Sequence, residues 1–276
     1  MGSVAPLSAT GTNDLAPAAP ARGKAGGLLI VNADDWGGFR SGTDAIEACF
    51  QAGAITSSTA MMYMSDSRRA AELAQERARP IGLHLNLTQP FDAPDVPAAV
   101  RERQRRLCLH FAPLARRRWV ASPFPSVHAL VADAIRDQLE QFQRQYGRQP
   151  THLDSHHHVH VCPDVFASGA LARGMRVRQT VSVLPGKRDP ATALRRFKHV
   201  LLASRFLTTE RFWAVREVAR EGAGIPIGDA ARMALTQSVE VMVHPSFPGE
   251  VDVLRSQAWA QAIAGAPLGS YARLSS

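Results

Sequence analysis

The sequence predicts an α/β fold, more specifically a (β/α) barrel with fewer than eight regular units. Short apolar runs alternate along the chain with stretches of helical periodicity, which is typical of βα units around a parallel sheet. Polar residues suited to catalysis or metal binding follow four of these runs, at the edge where parallel α/β folds bind their ligands. The first βα turn lacks GxGxxG, and GxxxxGKS/T occurs nowhere, which disfavours nucleotide-binding versions of the fold.

Length and composition indicate an ordinary globular chain. The 276 residues are 45% hydrophobic and 20% charged, enough for one sizeable core. No run of 18 apolar residues is present to cross a membrane, and the N-terminus lacks the basic and apolar regions of a secretory signal. The three cysteines are far apart in sequence, so we expect no disulfide scaffold and predict a reducing, cytoplasmic compartment.

The N-terminal half is predicted to contain a leader and three strands. Residues 1–26 are rich in Ala, Pro, Gly and Ser and predict a disordered leader, followed by a single barrel domain over 27–276. Strands are predicted over 28–31, 56–63 and 81–87, and helices over 43–52 and 65–78. Residues 88–126 contain six prolines and are expected to be irregular.

The C-terminal half continues the alternation. A helix is predicted over 127–146, where Gly147 ends it. Further elements are predicted as strand 151–154, helix 163–173, strand 175–177, mainly helical structure over 190–236, strand 239–243 and helix 255–264.

The net charge of +8 is concentrated in one segment. Residues 101–118 contain seven arginines and one acid, so they contribute 7 − 1 = +6. A solvated basic loop and an anion-binding surface both explain this segment. We expect a loop above the carboxyl edge of the barrel, where it would serve the substrate and not the fold.

Adjacent acids follow the first strand, and histidines follow two others. If the backbone at Asp34 and Asp35 is extended, the two side chains point to opposite faces, so that one can bind a metal and the other face the substrate. Two imidazoles and a carboxylate, supplied by His84, His156 and Asp35, suit Zn²⁺, Mn²⁺ or Fe²⁺. Helix capping by the acids and a buried structural role for His84 are the alternatives.

The histidine-rich segment 156–160 and His244 complete the candidate site. In an extended chain His156, His158 and His160 share one face, and we expect one metal ligand with one or two supporting or substrate contacts. His244 precedes a proline at a strand end, where a general acid and a histidine bonded to the backbone are both reasonable. No GxSxG nucleophile motif occurs, so these residue types favour metal-assisted hydrolysis.

At these residues the sequence resembles the YdjC-like carbohydrate deacetylases, which include the chitooligosaccharide deacetylases. The matching segments are LLIVNADDWG (28–37), AIEACFQAGAITSSTAM (45–61), IGLHLNLT (81–88), GRQPTHLDSHHHVHVCPDVF (147–166), VEVMVHPSF (239–247), EVDVLRSQAWAQAI (250–263) and LGSY (268–271). The long HLDSHHHVH block is the most specific of them. Trp36 departs from the usual Phe, and residues 185–235 match poorly.

The resemblance implies a deviant (β/α) TIM-like barrel of the glycoside hydrolase/deacetylase type. It also implies hydrolysis of the N-acetyl group of an amino sugar with one divalent metal ion, Mg²⁺ or Zn²⁺. By the same resemblance Asp35, His84 and His156 would be the metal ligands. The catalytic residues implied are Asp34 as general base, His244 as general acid or as the group that stabilises the leaving amine, and Arg178 as the residue that orients the base or binds the product. Substrate-binding or supporting roles are expected for Asn32, Asn86, Asp154, His158 and His160.

Two rival functions remain open from the sequence. The same chemistry could act on an anionic, lipid-linked or secondary-metabolite-linked acetylated amino sugar, which the basic segment favours. A catalytically dead barrel that binds anions or nucleic acid is disfavoured, because only Phe111 and Trp119 lie near the arginines to stack on bases. The expected partner is therefore a small acetylated sugar, with neither nucleic acid nor membrane involved, and a homodimer stays open.

Overall fold

The computed structural model describes residues 26–114, 124–180, 190–219 and 226–275. Within them, six strands form one sheet in the spatial order β4-β3-β2-β1-β6-β5. The strands are β1 (Leu28–Trp36), β2 (Ser57–Ala60), β3 (Ile81–Leu85), β4 (Leu153–Ser155), β5 (Arg211–Ala214) and β6 (Ser238–Val243). Every neighbouring pair is parallel, which confirms the predicted α/β class.

Further backbone hydrogen bonds continue the curled sheet beyond β4. Residues 175–178 exchange backbone hydrogen bonds with Leu153 of β4 on one side and with Leu207 on the other. The predicted strand 175–177 is present as these isolated parallel bridges. Four residues after Leu207 the chain enters β5, so the segment links the two edges of the sheet. The predicted deviant barrel is confirmed in this curled form.

Helices cover the outer face of the sheet. They are α1 (Arg40–Gln51), α2 (Ser67–Glu76), α3 (Ala98–Leu114), α4 (Pro125–Tyr146), α5 (Pro163–Ala167), α6 (Pro190–Ala203), α7 (Val215–Val218), α8 (Ile227–Met233), α9 (Pro248–Leu254) and α10 (Gln257–Ile263). Alternate residues of β1, such as Val31, join the main apolar core with helix residues such as Ile46 and Phe50. This outer packing supplies the large apolar core on which the sheet rests.

The inner face of the curled sheet is polar near its carboxyl edge. Asn32 and Asp34 of β1, His84 of β3 and Asp154 of β4 are at most 2% exposed, and hydrogen bonds join them to one another or to a shared partner. At the opposite end of the barrel, a small separate apolar cluster of Leu28, Ile30, Tyr271 and Leu274 closes the interior. Near the carboxyl edge, β1 and β3 therefore direct polar side chains inward and apolar side chains outward.

The prediction of an irregular connection over 88–126 is wrong, because α3 occupies residues 98–114. Val100, Gln104, Leu107 and Phe111 recur at helical spacing and form its buried or half-buried stripe beside α4. The stripe supplies only one residue per turn, and the arginines between its members mask the periodicity. Residues 101–114 of the arginine-rich segment are therefore helical, whereas residues 115–118 lie outside the described ranges.

Three other boundaries differ from the predictions. The stretch 190–236 was expected to be mainly helical, yet it contains strand β5, whose four residues are too short to show a clear alternation. The helix predicted near 255–264 is present as α10, which begins after Ser256, whose hydroxyl accepts a hydrogen bond from the Trp259 amide, but the separate helix α9 directly before it was not predicted. The predicted helix 163–173 ends earlier, at Ala167.

Two further predictions concern the domain division and the membrane. Residues 1–25 of the expected leader lie outside the described ranges, so the division into leader and one barrel domain stays a prediction. Among the described helices, none combines the length and the apolar character that a membrane span requires.

Candidate active site

The end of β1 brings two acids to the same edge of the barrel. Pairing between β1 and β2 shifts register between Ala33 and Trp36. Inside this irregularity Asp35 has φ +70°, a left-handed conformation that is uncommon for residues other than glycine. The Asp35 carbonyl accepts a hydrogen bond from the Gly38 amide at 3.0 Å, which closes the turn. Asp34 is buried as a result, whereas the side chain of Asp35 is 17% exposed.

Asp35, His84 and His156 converge, and we call them the open cluster. His84 Nε2 lies 3.2 Å from Asp35 Oδ1, and His156 Nδ1 lies 3.5 Å from the same oxygen. His84 comes from the end of β3, and His156 comes from the 3₁₀ turn directly after β4. The predicted ligands thus lie together, and their ligand atoms are close enough to hold one cation.

Hydrogen bonding at His84 tests whether a metal fits this position. Its Nδ1 lies 2.7 Å from Asp154 Oδ1 and 3.2 Å from Thr59 Oγ1, which places a ring proton on Nδ1. The electron pair of Nε2 then faces Asp35 Oδ1, a buried oxygen with no hydrogen-bond partner among the described residues. A cation must lie between two electron pairs directed at each other. Either a metal ion or a second ring proton on His84 can fill this place, because burial lowers the pKa of His84 but Asp154, Asp35 and Asp34 raise it well above its usual value. A carboxylate with two imidazoles suits a divalent transition metal, so the residues present fit one.

A second group of possible ligands is Asp34, His84 and Asp154. All three residues are buried, and both acids already accept hydrogen bonds from the guanidinium of Arg178. A metal ion there would have to displace the Arg178 guanidinium, which already supplies the positive charge. The open cluster is therefore the better candidate metal centre.

Arg178 holds Asp34 in a fixed orientation. Its Nη1 donates to Asp34 Oδ2 at 2.6 Å, and its Nη2 donates to Asp34 Oδ1 at 2.7 Å. The amide of Asn32 donates to Asp34 Oδ1 at 3.0 Å. Burial opposes ionisation, yet the charge and the hydrogen bonds of Arg178, with a smaller contribution from His244, outweigh it and hold the pKa of Asp34 well below its usual range. Asp34 is thus ionised.

Asp154 and Glu240 share the same guanidinium. Asp154 Oδ2 accepts from Arg178 Nη1 at 2.8 Å, and Glu240 Oε1 accepts from Arg178 Nε at 2.8 Å. The hydroxyl of Tyr271 donates to the other oxygen of Glu240. Burial raises the pKa of Glu240 to about 7 despite the charge of Arg178. Glu240 and Tyr271 were not predicted as site residues from the sequence, although the acid within the apolar segment VEVMV was a visible signal for Glu240.

His244 lies at the edge of the site, 22% exposed, and its Nε2 is 3.8 Å from Asp34 Oδ2. The Glu250 carboxylate accepts from the His244 backbone amide at 2.6 Å and lies 3.8 Å from the ring Nδ1. Burial lowers the pKa of His244, but Glu250, Asp34 and Asp35 together raise it above its usual value. The histidine predicted as an acid is therefore close to the predicted base and favours its protonated form.

The remaining predicted residues lie around the site without entering it. Asn86 is buried, and its side chain bonds the turn after β3 through the Thr88 and Gln89 amides. His160 bonds Ser155 Oγ at 2.7 Å and the Arg178 carbonyl at 2.9 Å, and burial lowers its pKa to about 3. Buried hydrogen bonds thus occupy both side chains, and their substrate-binding or supporting roles stay predictions.

Three side chains near the mouth complete the surroundings. His158 packs against the Phe212 ring with centroids 5.9 Å apart. His157, which the sequence analysis passed over, is exposed, and its ring lies 4.0 Å from that of His156. Phe247 is 55% exposed, and its ring centroid lies 5.3 Å from that of His244. Phe247 thus offers an apolar surface directly beside the site.

The arginines of α3 make local contacts that support the fold. Arg101 donates to the backbone carbonyls of Phe91 and Ala93 at 3.0 and 2.9 Å, and Arg103 pairs with Asp137 of α4. Arg105 pairs with Glu102 on the exposed surface of the same helix. For residues 101–114 the expectation of a loop is therefore wrong, and the expected role toward the substrate stays a prediction.

A second cluster of one aspartate and two histidines lies among the helices, and we call it the clamp. His110 Nε2 of α3 lies 3.0 Å from Asp164 Oδ2, and His128 Nε2 of α4 lies 3.2 Å from Asp164 Oδ1. Asp164, on α5, is fully buried, and the histidines are about a quarter exposed. The clamp joins three helices around one carboxylate.

Together the fold and the open cluster define an α/β barrel protein with a candidate metal centre at the carboxyl edge of its parallel strands. Residues 28–273 match the model of the YdjC-like protein family. The chain belongs to this family, which confirms the resemblance seen in the sequence.

Individual relatives agree with this assignment. The chain is 31% identical over 268 residues to a chitooligosaccharide deacetylase from Citrobacter koseri, with 88% of this chain and 98% of the relative covered. It is 38% identical over 144 residues to a chitooligosaccharide deacetylase from Yersinia pestis, which is about half of each chain. A crystal structure from Enterococcus faecalis V583, of a protein provisionally assigned to cellobiose-phosphate cleavage, aligns with a TM-score of 0.63 and 23% identity. That alignment covers 91% of this chain and 100% of the other, and it supports the fold.

Proposed function

We propose that this protein is a metal-dependent hydrolase that removes the N-acetyl group from an amino sugar of the N-acetylglucosamine type. The observation that carries the proposal is the open cluster, with the Asp34 carboxylate and His244, a histidine of raised pKa, beside it. The chitooligosaccharide deacetylases among its relatives support the same reaction. Asp35, His84 and His156 would hold one divalent ion, Mg²⁺ or Zn²⁺.

The reaction needs water to attack the amide carbonyl and a proton to reach the departing nitrogen. A divalent ion bound to the open cluster would supply Lewis-acid activation of the carbonyl and of water. Asp34 accepts the proton that the attacking water loses, because Arg178 keeps this carboxylate ionised and oriented. His244 donates a proton to the amine nitrogen as the C–N bond breaks. Each acid–base role typically contributes about 10²–10⁴-fold in rate.

The surroundings of the site favour a neutral sugar over an anionic substrate. Phe247 exposes a ring beside His244, and the apolar face of a pyranose can pack on such a ring. Arg101, Arg103 and Arg105 of the basic segment bind backbone carbonyls and carboxylates in and around α3. The described cysteines form no disulfide, which supports the cytoplasmic compartment predicted from the sequence.

Mass spectrometry of products tests the proposal directly. The metal-loaded protein is incubated with a panel of N-acetylated mono- and oligosaccharides, together with anionic and lipid-linked acetylated amino sugars. Loss of one acetyl mass from a neutral chitooligosaccharide, with release of free acetate, is expected. Turnover of only anionic or lipid-linked members would transfer the proposal to those substrates, and no deacetylation of any member would refute it.

A further inference from the structure

Glu240 is a buried acid that no step of the proposed reaction uses. It lies on the inner face of β6 between Val239 and Val241, which pack outward into the main core. Its side chain is fully buried. A buried carboxylate is costly unless hydrogen bonds and a countercharge compensate it. Arg178 and Tyr271 supply both, so the position of Glu240 is tightly defined.

Arg178 is held from two sides of its planar guanidinium. Asp34 occupies both Nη atoms, and Glu240 occupies Nε. A guanidinium has a rigid fork, so a carboxylate bound at one edge fixes the direction of the donors at the other. Without Glu240, the guanidinium could turn toward Asp154, which already shares Nη1.

The far end of this chain of contacts is anchored in the apolar cluster that closes the barrel. The Tyr271 ring stacks on the His152 ring, with centroids 3.8 Å apart and planes 9° apart. Leu28, Ile30 and Leu274 pack around Tyr271, which is fully buried. The packed ring therefore fixes the position of the Tyr271 hydroxyl against Glu240.

We propose that Tyr271 and Glu240 are positioning residues for catalysis, which act through Arg178 to hold the Asp34 carboxylate in its reactive orientation. This proposal rests on the proposed function, because Asp34 is the base there. Neither residue touches the open cluster, so their effect is on the geometry of Asp34 and not on metal binding. The competing explanation is that the Glu240–Arg178 pair stabilises the fold only.

Matched substitutions separate the two explanations. Glu240→Gln keeps the shape of the side chain but weakens its bond to Arg178, and Tyr271→Phe removes only the hydroxyl. The controls are Glu47→Gln, which weakens a partly buried Glu–Arg pair with Arg79, and Tyr63→Phe, which removes a partly buried hydroxyl contact with the Asp137 carbonyl. Both controls change the outer layers of the protein and leave the inner polar face intact.

We expect Glu240→Gln to lower kcat about 10–100-fold, since small displacements of catalytic groups have effects of this order. Tyr271→Phe should lower kcat about 3–10-fold. In both variants KM should stay within about twofold and metal content should be unchanged, while the two controls keep the kcat of the parent protein. A kcat that equals the parent's in both Glu240→Gln and Tyr271→Phe would overturn the proposal. If Glu240→Gln fails to fold, Tyr271→Phe alone decides.

The double variant tests whether the two residues act through one chain of contacts. Residues in one hydrogen-bond network show non-additive effects, so the double variant should lose at most about twofold more than Glu240→Gln alone. Losses that multiply would mean that the two residues act independently, which contradicts the proposal.

A crystal structure of Glu240→Gln gives a readout that does not depend on turnover. The proposal predicts that at least one of the two hydrogen bonds between Arg178 and Asp34 is lost, and an unchanged pair overturns it. If the parent protein deacetylates no sugar, the proposed function fails, and this crystal structure still decides whether Glu240 positions Asp34.

Discussion

The open cluster and the clamp have the same composition, one aspartate and two histidines, but different geometry. In the open cluster both histidines approach one oxygen of Asp35, and that buried oxygen has no hydrogen-bond partner among the described residues. In the clamp each histidine approaches a different oxygen of Asp164, at 3.0 and 3.2 Å. Convergence on one point, more than residue type, therefore distinguishes a candidate metal centre from a structural cluster.

The location of the two clusters follows from the elements that carry them. The open cluster lies where β1, β3 and β4 end, so three strands of one sheet fix its ligands from the same edge. The clamp joins α3, α4 and α5. Substitutions in the open cluster should therefore change chemistry, and substitutions in the clamp should change stability.

The largest difference is expected for metal content. His84→Ala should lose the bound divalent ion and lower activity by more than about 10²-fold. The substitution removes one ligand and also leaves Asp154 Oδ1 without the imidazole that donates to it. Chelation of the parent protein should abolish activity, and a divalent ion should restore it. Elemental analysis and product assays measure both effects, with His110→Ala as the matched control. Equal metal loss in the two variants, or full turnover without metal, would contradict the assignment of the open cluster as the metal centre and of the clamp as a structural cluster.

The next largest difference is expected for the two buried acids. Asp34→Asn is nearly isosteric and cannot accept a proton, so kcat should fall at least roughly 10²-fold while metal content is retained. Asp164→Asn makes the same change in the clamp and should leave kcat and KM as in the parent protein. Steady-state kinetics together with elemental analysis check this pair. Metal loss in Asp34→Asn would show that Asp34, and not Asp35 alone, binds the ion.

The pH dependence should separate His244 from the clamp histidines. His244 must be protonated to act as an acid, and its pKa is raised, so activity should persist above the ordinary histidine pKa of about 6.5 and fall at higher pH. Glu250→Gln removes a charge that raises this pKa, so the alkaline fall should move to lower pH. The profile of kcat/KM measures the shift, and His128→Asn should leave it in place. An alkaline limb that Glu250→Gln does not move would argue against His244 as the acid.

The smallest effects concern stability. His110→Ala removes one hydrogen bond from the buried Asp164 carboxylate, which should lower the free energy of unfolding by about 1–3 kcal/mol. Arg105→Ala removes an exposed pair with Glu102, which solvent screens, and should leave the free energy of unfolding essentially unchanged. Denaturant unfolding compares the two variants, with activity measured alongside. A clamp variant as stable as Arg105→Ala would mean that the clamp contributes nothing to the fold.

The sequence predicted the parts of the site that follow strands. Asp35, His84 and His156 each come directly after or at the end of an apolar run, and the edge of a parallel sheet brings such residues together whatever the loops do. The metal, base and acid roles of these residues stay predictions. The sheet edge is the strongest constraint that a single sequence offers on a site of this kind.

The interior of the barrel could not be predicted in the same way. Alternation along β6 separates Glu240 from its valine neighbours, but it does not say that the polar face points inward. Tyr271 is 31 residues from Glu240 and follows no strand. Contacts of this kind depend on closure of the sheet, which no local pattern encodes.

The helix α3 was missed for a different reason. The six prolines of residues 88–126 suggested irregular structure, but only Pro113 lies within α3. The buried stripe of the helix is narrow, and the arginines between its members suggested a solvated loop. Arg101 and Arg103 are in fact fixed by backbone carbonyls and an aspartate. A high local charge therefore said little about whether the segment was ordered.

The left-handed backbone at Asp35 limits how the metal preference of this protein could be redesigned. Among residues with a β-carbon, Asp, Asn and His tolerate positive φ best, whereas others lose about 1–2 kcal/mol there. Replacement by Cys, to favour softer metals, would therefore strain the turn as well as change the ligand. The backbone conformation thus restricts which ligand residues can replace Asp35. Selection for a new metal should therefore succeed first at His156.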